Sequence, residues 1–485
     1  MYRRPPVLRS ADKDEQAAAM ARDPEQAALA LHRFGFGPRR GTIDAIAGDP
    51  QGALLSDLDR PDAGRIDDAD LPSSDAEFRA VFEFNAARRA EAKLARTRPG
   101  GMAAQDMMAV EADAAPAPLR MPPLPRRIVL SEAKARIDAA RDAEIGFVER
   151  LVWFWSNHFC VSLNTSIMAG AYEREAIRPH VLGRFADLLL AAESHPAMLL
   201  YLNDAQSIGP DSVAGINRDK GINENFAREI LELHTLGVRT GYTQKDVIAF
   251  AKVMTGWGLR SPVTDPDIGG RFLFNPRTHE PGAQTVLGKS YPEGGVAQGR
   301  AVLTDLARNP ATATHIATKL AVHFIADDAP AELINKLARR IRDTDGDLKE
   351  VAKALATAPE AWAPQQQKVK RPGEWIVAVL RAAGQGSDIG RIVGAARLLG
   401  EPLWRPPAPK GFPDSNAAWL NGVGERLEIA NAFAEHFAPE IDAAAVIDAG
   451  LGPLASAATR QTIAHAESRP QALTLALMSP EFLRR

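Results

Sequence analysis

Residues 145–159 read Ile145-Gly146-Phe147-Val148-Glu149-Arg150-Leu151-Val152-Trp153-Phe154-Trp155-Ser156-Asn157-His158-Phe159, and this stretch decides the fold class. At about 100° per residue its apolar side chains surround the helix instead of forming one stripe, so the segment is predicted to cross a core. Glu149, Trp153 and Asn157 recur at i, i+4 and i+8 on one line, with His158 about 100° away. Core packing accounts for Trp153 and Trp155. A buried amide and imidazole need hydrogen-bonding partners, so Asn157 and His158 join Trp153 as candidate substrate-binding residues.

Outward from this helix the pattern stays helical. Residues 1–24 read as a polar, disordered tail. Asp23-Pro24-Glu25 then supplies an N-cap and a proline at the first helical position, opening an N-terminal helical segment over 25–95. Residues 96–127, rich in Pro, Ala and Met without a steady period, read as a loop or linker, with a methionine flap over a pocket as the alternative. Residues 128–257 form the expected helical core, with helices at about 170–190, 188–202, 223–237 and 243–256. Between 258 and 295 the texture changes. Arg271–Asn275 and Thr285–Tyr291 alternate between Gly, Pro and Asp breakers and predict a small β-hairpin excursion around 270–291. Helices resume over 296–485, interrupted by the Pro-rich loop Glu401–Asp414. The predicted class is all-α, one large multi-helix fold carrying that hairpin.

Composition narrows the function. The chain has 485 residues, 58 Lys and Arg against 61 Asp and Glu, and a formal charge of −3, a balance that argues against a nucleic-acid partner held by a global basic field. No apolar run approaches the roughly 18–20 residues that span a bilayer. With no apolar stretch behind its basic N-terminal residues, the sequence is read as cytoplasmic. Cys160 is the single cysteine; that rules out an intrachain disulfide and a thiolate metal cluster, and its apolar setting predicts an inert thiol.

The chemistry-bearing stretch is Gly221-Ile-Asn223-Glu224-Asn225-Phe226-Ala227-Arg228-Glu229-Ile230-Leu231-Glu232-Leu233-His234-Thr235-Leu236-Gly237. On a helical projection Glu224, Arg228, Glu232, Asn225 and Glu229 share one sector of about 140°. A solvated face with an i,i+4 Glu224–Arg228 pair explains them. So does a pocket wall, in which carboxylates raise one another's pKa while Arg228 lowers it, giving one proton-holding and one ionised group. On that reading Glu224, Glu229 and Glu232 are the catalytic candidates, with Arg228 and Asn225 binding substrate. His234 falls in the apolar arc and is expected as a hydrogen-bonded core histidine. Trp257 and His279, on loops, complete the candidates from this reading. No Walker loop, G-x-G-x-x-G, G-x-S-x-G or H-E-x-x-H is present, so no cofactor and no metal site is assigned. A metal would need histidines gathered from several helices, among them His158, His180, His195 and His279.

Glu149–Phe159, Ser194–Leu202, Asn223–Val238, Gly241–Asp246 and Thr255-Gly-Trp257 together resemble the bacterial family catalogued as domain of unknown function 1800. The likeness runs from His32–Pro38 to Phe412-Pro-Asp414. The resemblance implies a mostly helical protein that often occurs beside a sulfatase-like companion, and members that frequently carry export signals. Asn223 and Tyr242, inside the matched stretches, enter the substrate-binding set. Where members tend to have His-Asp, this chain has His279-Glu280. Three functions are compatible with these residues: a hydrolase of a polymer or glycoconjugate using Glu acid/base catalysis, a non-enzymatic binding or assembly protein partnering the sulfatase-like neighbour, and a His/Glu metalloenzyme.

Overall fold

The computed structural model describes residues 22–97, 122–216, 221–386 and 388–485. The expected tail, up to residue 21, and most of the expected linker, including its methionines, lie outside these residues.

The chain is mostly α-helical. The helix Phe147–His158 buries every residue except Trp153 and Asn157, two members of the stripe read from the sequence; the third, Glu149, is buried. Its first turn is capped from a distance: the Asp57 carboxylate accepts from the Phe147 and Val148 amides at 2.9 and 3.1 Å. That satisfies donors a helix start leaves open. Local caps fall where expected, at Asp23 before Pro24–Arg33 and at Thr243, whose capping box with Asp246 opens Gln244–Met254.

Two predicted helices are corrected. The helix expected over 170–190 is broken into Ala169–Tyr172, a wide π turn Glu173–Ile177, the 3-10 turn Arg178–His180 and then Phe185–Ser194. Pro179 lacks an amide hydrogen, and the buried charges of Glu173 and Arg178 are engaged by other elements. The helix expected over 223–237 is α only from Glu224 to Glu229 and continues as a π turn, Ile230–His234. Strand forms within both predicted segments, but the pairing differs and one strand lies ahead of the expected range. β1 (Trp257–Leu259) pairs antiparallel with β2 (Phe272–Phe274), while β3 (Gln284–Val286) and β4 (Lys289–Tyr291) make a separate hairpin.

Two apolar cores form. The larger gathers residues between Ala27 and Ala361 together with Trp404; the smaller joins Phe36, Ile137 and Ala140 to the helices after Trp375. Trp153 packs against both, and the junction beside it holds a cleft. Among the described residues, no helix is long and apolar enough to cross a membrane.

Candidate functional site

The cleft between the cores is narrow, a cavity of about 60 Å³ open on one side, with Arg136, Trp153, Ser156, Asn157, Arg371 and Glu401 among its walls. Its polar lining rests on buried charges. Glu149 receives both Nη atoms of Arg178, at 2.7 and 3.1 Å. Arg178 reaches Glu173 at 3.1 Å, and Glu173 pairs with Arg136 at 2.8 Å. Ser156 Oγ donates to Glu173 at 2.7 Å and Trp404 Nε1 at 3.4 Å. Burial opposes the charge on Glu173, but Arg136 and Arg178 outweigh it and hold the carboxyl below its ordinary range. At the end of this series of charges the buried Arg136 guanidinium lies 4.0 Å from the Trp153 ring and 5.7 Å from Trp404.

The opposite wall comes from the Pro372–Ala383 helix and the Pro-rich loop. Arg371 pairs with Glu401 and lies 3.7 Å from Asp414. Glu401 also accepts from the Gly373 amide at 2.9 Å. Asn157 fastens the loop: its Nδ2 donates to the Phe412 carbonyl at 2.9 Å and its Oδ1 accepts from the Phe412 amide at 2.8 Å. The preceding Gly411 has φ +79, and a Cβ there would meet the Asn157 carbonyl at 2.4 Å, so only glycine fits. Beneath, Glu374 sits between Arg150 at 3.2 Å and Arg485 at 2.8 Å. Burial resists its charge; the guanidinia prevail and keep it far below the usual carboxylate range.

A histidine and lysine stripe, His315, Lys319 and His323, backs the cleft from the Pro310–Phe324 helix. Burial lowers the His323 pKa to about 4. The neutral ring therefore donates from Nδ1 to Asp414 at 2.8 Å and accepts at Nε2 from Arg150 at 3.2 Å. Burial likewise keeps His158 neutral. Its Nε2–H donates to the His234 carbonyl at 3.2 Å and its Nδ1 accepts from Lys319 at 2.9 Å. Cys160 lines the cleft, but burial pushes its thiol up to about 12, so it remains a neutral donor to the Pro409 carbonyl at 3.2 Å.

Of the residues singled out by sequence, Trp153 and Asn157 line this cleft and His158 lies just behind it. The Glu224 face is elsewhere, on the surface. Arg228 lies 3.5 Å from Glu224 and 3.7 Å from Glu232. Gln244 bridges Glu224 and Arg228, and Tyr242 donates to Glu232 at 2.6 Å. Asn223 caps the helix start and donates to the Leu202 carbonyl; Asn225 is exposed. Half-buried Glu229 has its carboxyl raised, by burial first and then by Glu232. His234 is fully buried, 2.7 Å from Glu193. Trp257 is core, its ring edge on Phe272, and His279 is buried with Nδ1 on the Thr255 carbonyl at 2.8 Å. Among the described residues, no group of three or more His, Cys, Asp or Glu side chains is arranged to hold a metal ion.

Sequence reasoning did not single out Arg136, Arg371, Glu401, Trp404 or Asp414, because their meeting is set by tertiary structure. The i, i+4, i+8 spacing of His315, Lys319 and His323 was a signal open to it.

Fold and site define a large helical protein with a charge-lined cleft between two cores. The chain belongs to the family described as protein of unknown function (DUF1800), which matches residues 29–484. No curated protein and no solved structure matches it.

Proposed function

We propose that the protein is a binding protein whose cleft between Arg136 and Arg371 takes the oxyanion group of a larger ligand, of the kind an acidic sugar of a glycoconjugate supplies. One observation carries this reading. The lining residues Trp153 and Arg371 each keep a donor, Nε1 and Nε, buried without a hydrogen-bonding partner. A buried donor without a partner costs about 1–3 kcal/mol, and a guest rich in acceptors removes that cost. The sulfatase-like companion implied by the family resemblance is a partner whose chemistry also centres on an oxyanion.

Hydrolysis fits the cleft less well. A general acid needs a proton-holding carboxyl that faces the substrate, whereas Glu374 in the lining, and Glu173 and Asp414 behind it, are held below their ordinary range against the opposition of burial, and Glu401 is paired with Arg371. His158 and His323 have both ring nitrogens engaged. A hydrolase reading rests instead on Glu229, outside the cleft. Calorimetry with a monosaccharide sulfate and a uronic acid, beside assays of bond cleavage, separates the two. Saturable binding without turnover supports the proposal; turnover that disappears in Glu229→Gln overturns it. Cytoplasmic residence is likewise a proposal, checked by cell fractionation.

A further inference from the structure

The smaller core carries a second concavity, unlike the first. It lies between the helices Ile389–Leu398 and Val423–Phe437, floored by Pro372–Ala383, and has a cavity volume of about 450 Å³. Of its fifteen lining residues, Arg391 and His436 are the polar ones and none is a carboxylate. The 389–398 helix divides it from the charged cleft: Val393 and Ala396 line the cleft, Arg391, Ala395 and Leu398 the groove.

Three features mark this groove as built for an occupant. Small residues open it, and Gly394 is the most telling. Gly394 sits inside a helix without a positive φ, and a Cβ there would meet nothing within 4 Å. Neither backbone conformation nor a neighbour requires glycine, although glycine in a helix interior costs about 1 kcal/mol relative to alanine. Leu398 stands at the rim 71% exposed, leaving a large aliphatic side chain in water beside an apolar trough. Finally, the exposed Arg391 guanidinium has no side-chain hydrogen bond or ion pair among the described residues. Asp388, close by, spends its carboxylate on the Gly390 and Arg391 amides at 2.6 and 3.1 Å.

We propose that this groove binds a single-chain anionic amphiphile, its hydrocarbon lying along Val379, Ile429 and Phe433 and its carboxylate or sulfate head on Arg391. Arg391 and Leu398 are about 10 Å apart along the helix axis, which suits a chain of medium length. A concave apolar pocket with few polar groups at one end is the usual form of a small-molecule site. The absence of carboxylates and the free guanidinium favour an anionic head over a neutral or cationic one.

The test titrates dodecanoate, dodecanol and dodecyltrimethylammonium, all below their micellar concentrations, into the full chain by calorimetry and thermal shift. Dodecanoate is expected to bind best and to raise Tm. Gly394→Leu, which fills the groove where no atom obstructs it, is expected to abolish that binding while keeping or raising the Tm of the free protein. Arg391→Glu is expected to weaken dodecanoate at least tenfold and to remove its advantage over the cationic amphiphile. Trp153→Phe, in the charged cleft, is expected to leave dodecanoate binding unchanged, so the two sites succeed or fail separately. Dodecanoate binding that survives both groove variants, or equal affinity for the three head groups, overturns the proposal. So does a concentration-dependent dimer that Gly394→Leu dissociates, because the occupant would then be a second copy of the chain.

Discussion

The Arg136 guanidinium lies 4.0 Å from the Trp153 ring, and that contact changes what the tryptophan can do. The edge of the Phe36 ring meets the same indole with centroids 4.7 Å apart. An indole so covered is a wall and not a stacking platform, and its Nε1–H lies buried without a partner.

Trp153→Phe therefore isolates the donor. It keeps an aromatic ring under Arg136, and the lost volume is offset in part by removing an orphaned N–H, so unfolding free energy should fall by only about 1–2 kcal/mol. Oxyanion binding should weaken by about 1 kcal/mol, roughly fivefold. Chemical denaturation and calorimetry on the same samples read both.

Asn157 is the pin of the Pro-rich loop. Asn157→Ala removes two hydrogen bonds to Phe412 and leaves a donor and an acceptor of the backbone unmatched. A loss of about 2–3 kcal/mol is expected, with amide hydrogen exchange rising in residues 401–414 ahead of the rest of the chain. Uniform exchange across the whole protein would contradict a local role.

Glu374 is flanked by two buried guanidinia. Glu374→Gln keeps the shape and deletes the charge, which leaves Arg150 and Arg485 facing each other across a neutral amide. Breaking a buried pair in this way costs about 3–5 kcal/mol. A variant that denatures like the wild type would show that these charges do not hold the cleft floor.

Glu77 supplies a pH signature away from the cleft. Burial first, and then the charge of Glu132, push its carboxyl from 4.5 up to about 9. Between those values the native state binds a proton that the unfolded chain has released, so this group's stabilisation is full below about 4.5 and is lost as pH rises towards about 9. Glu77→Gln removes that dependence. Its Tm is expected to fall less than the wild type's between pH 5 and pH 8.5, and parallel curves would contradict the assignment.

Glu224→Gln and Glu232→Gln act on a partly exposed, ion-paired face. Exposed pairs contribute about 0–1 kcal/mol. Both variants should denature within about 0.5 kcal/mol of the wild type and bind the cleft ligand unchanged.

What the sequence disclosed follows from the range of the interactions. Helix positions depend on neighbours three and four residues apart, so the core-crossing helix, its Glu149–Trp153–Asn157 stripe and the Thr243 cap could be read directly. The π turns at Glu173 and Ile230 could not: no local spacing marks them, and Glu173 takes its partner Arg136 from another helix. The strands at 272–274 and 284–286 were legible by alternation, but their pairing was not, since β2 takes its partner from residues 257–259. For the cleft, only the residues on the apolar helix were visible. Arg371, Glu401 and Asp414 reach it from more than 200 residues away, and no local spacing announces such a meeting.

The central claim is most directly tested by titrating a monosaccharide 6-sulfate into the wild type and into Trp153→Phe by calorimetry. The account predicts one saturable site per chain in the wild type, and an affinity roughly fivefold weaker when the indole N–H is gone. Absence of heat in both proteins, or equal affinity in both, would contradict the assignment of the cleft as the ligand site.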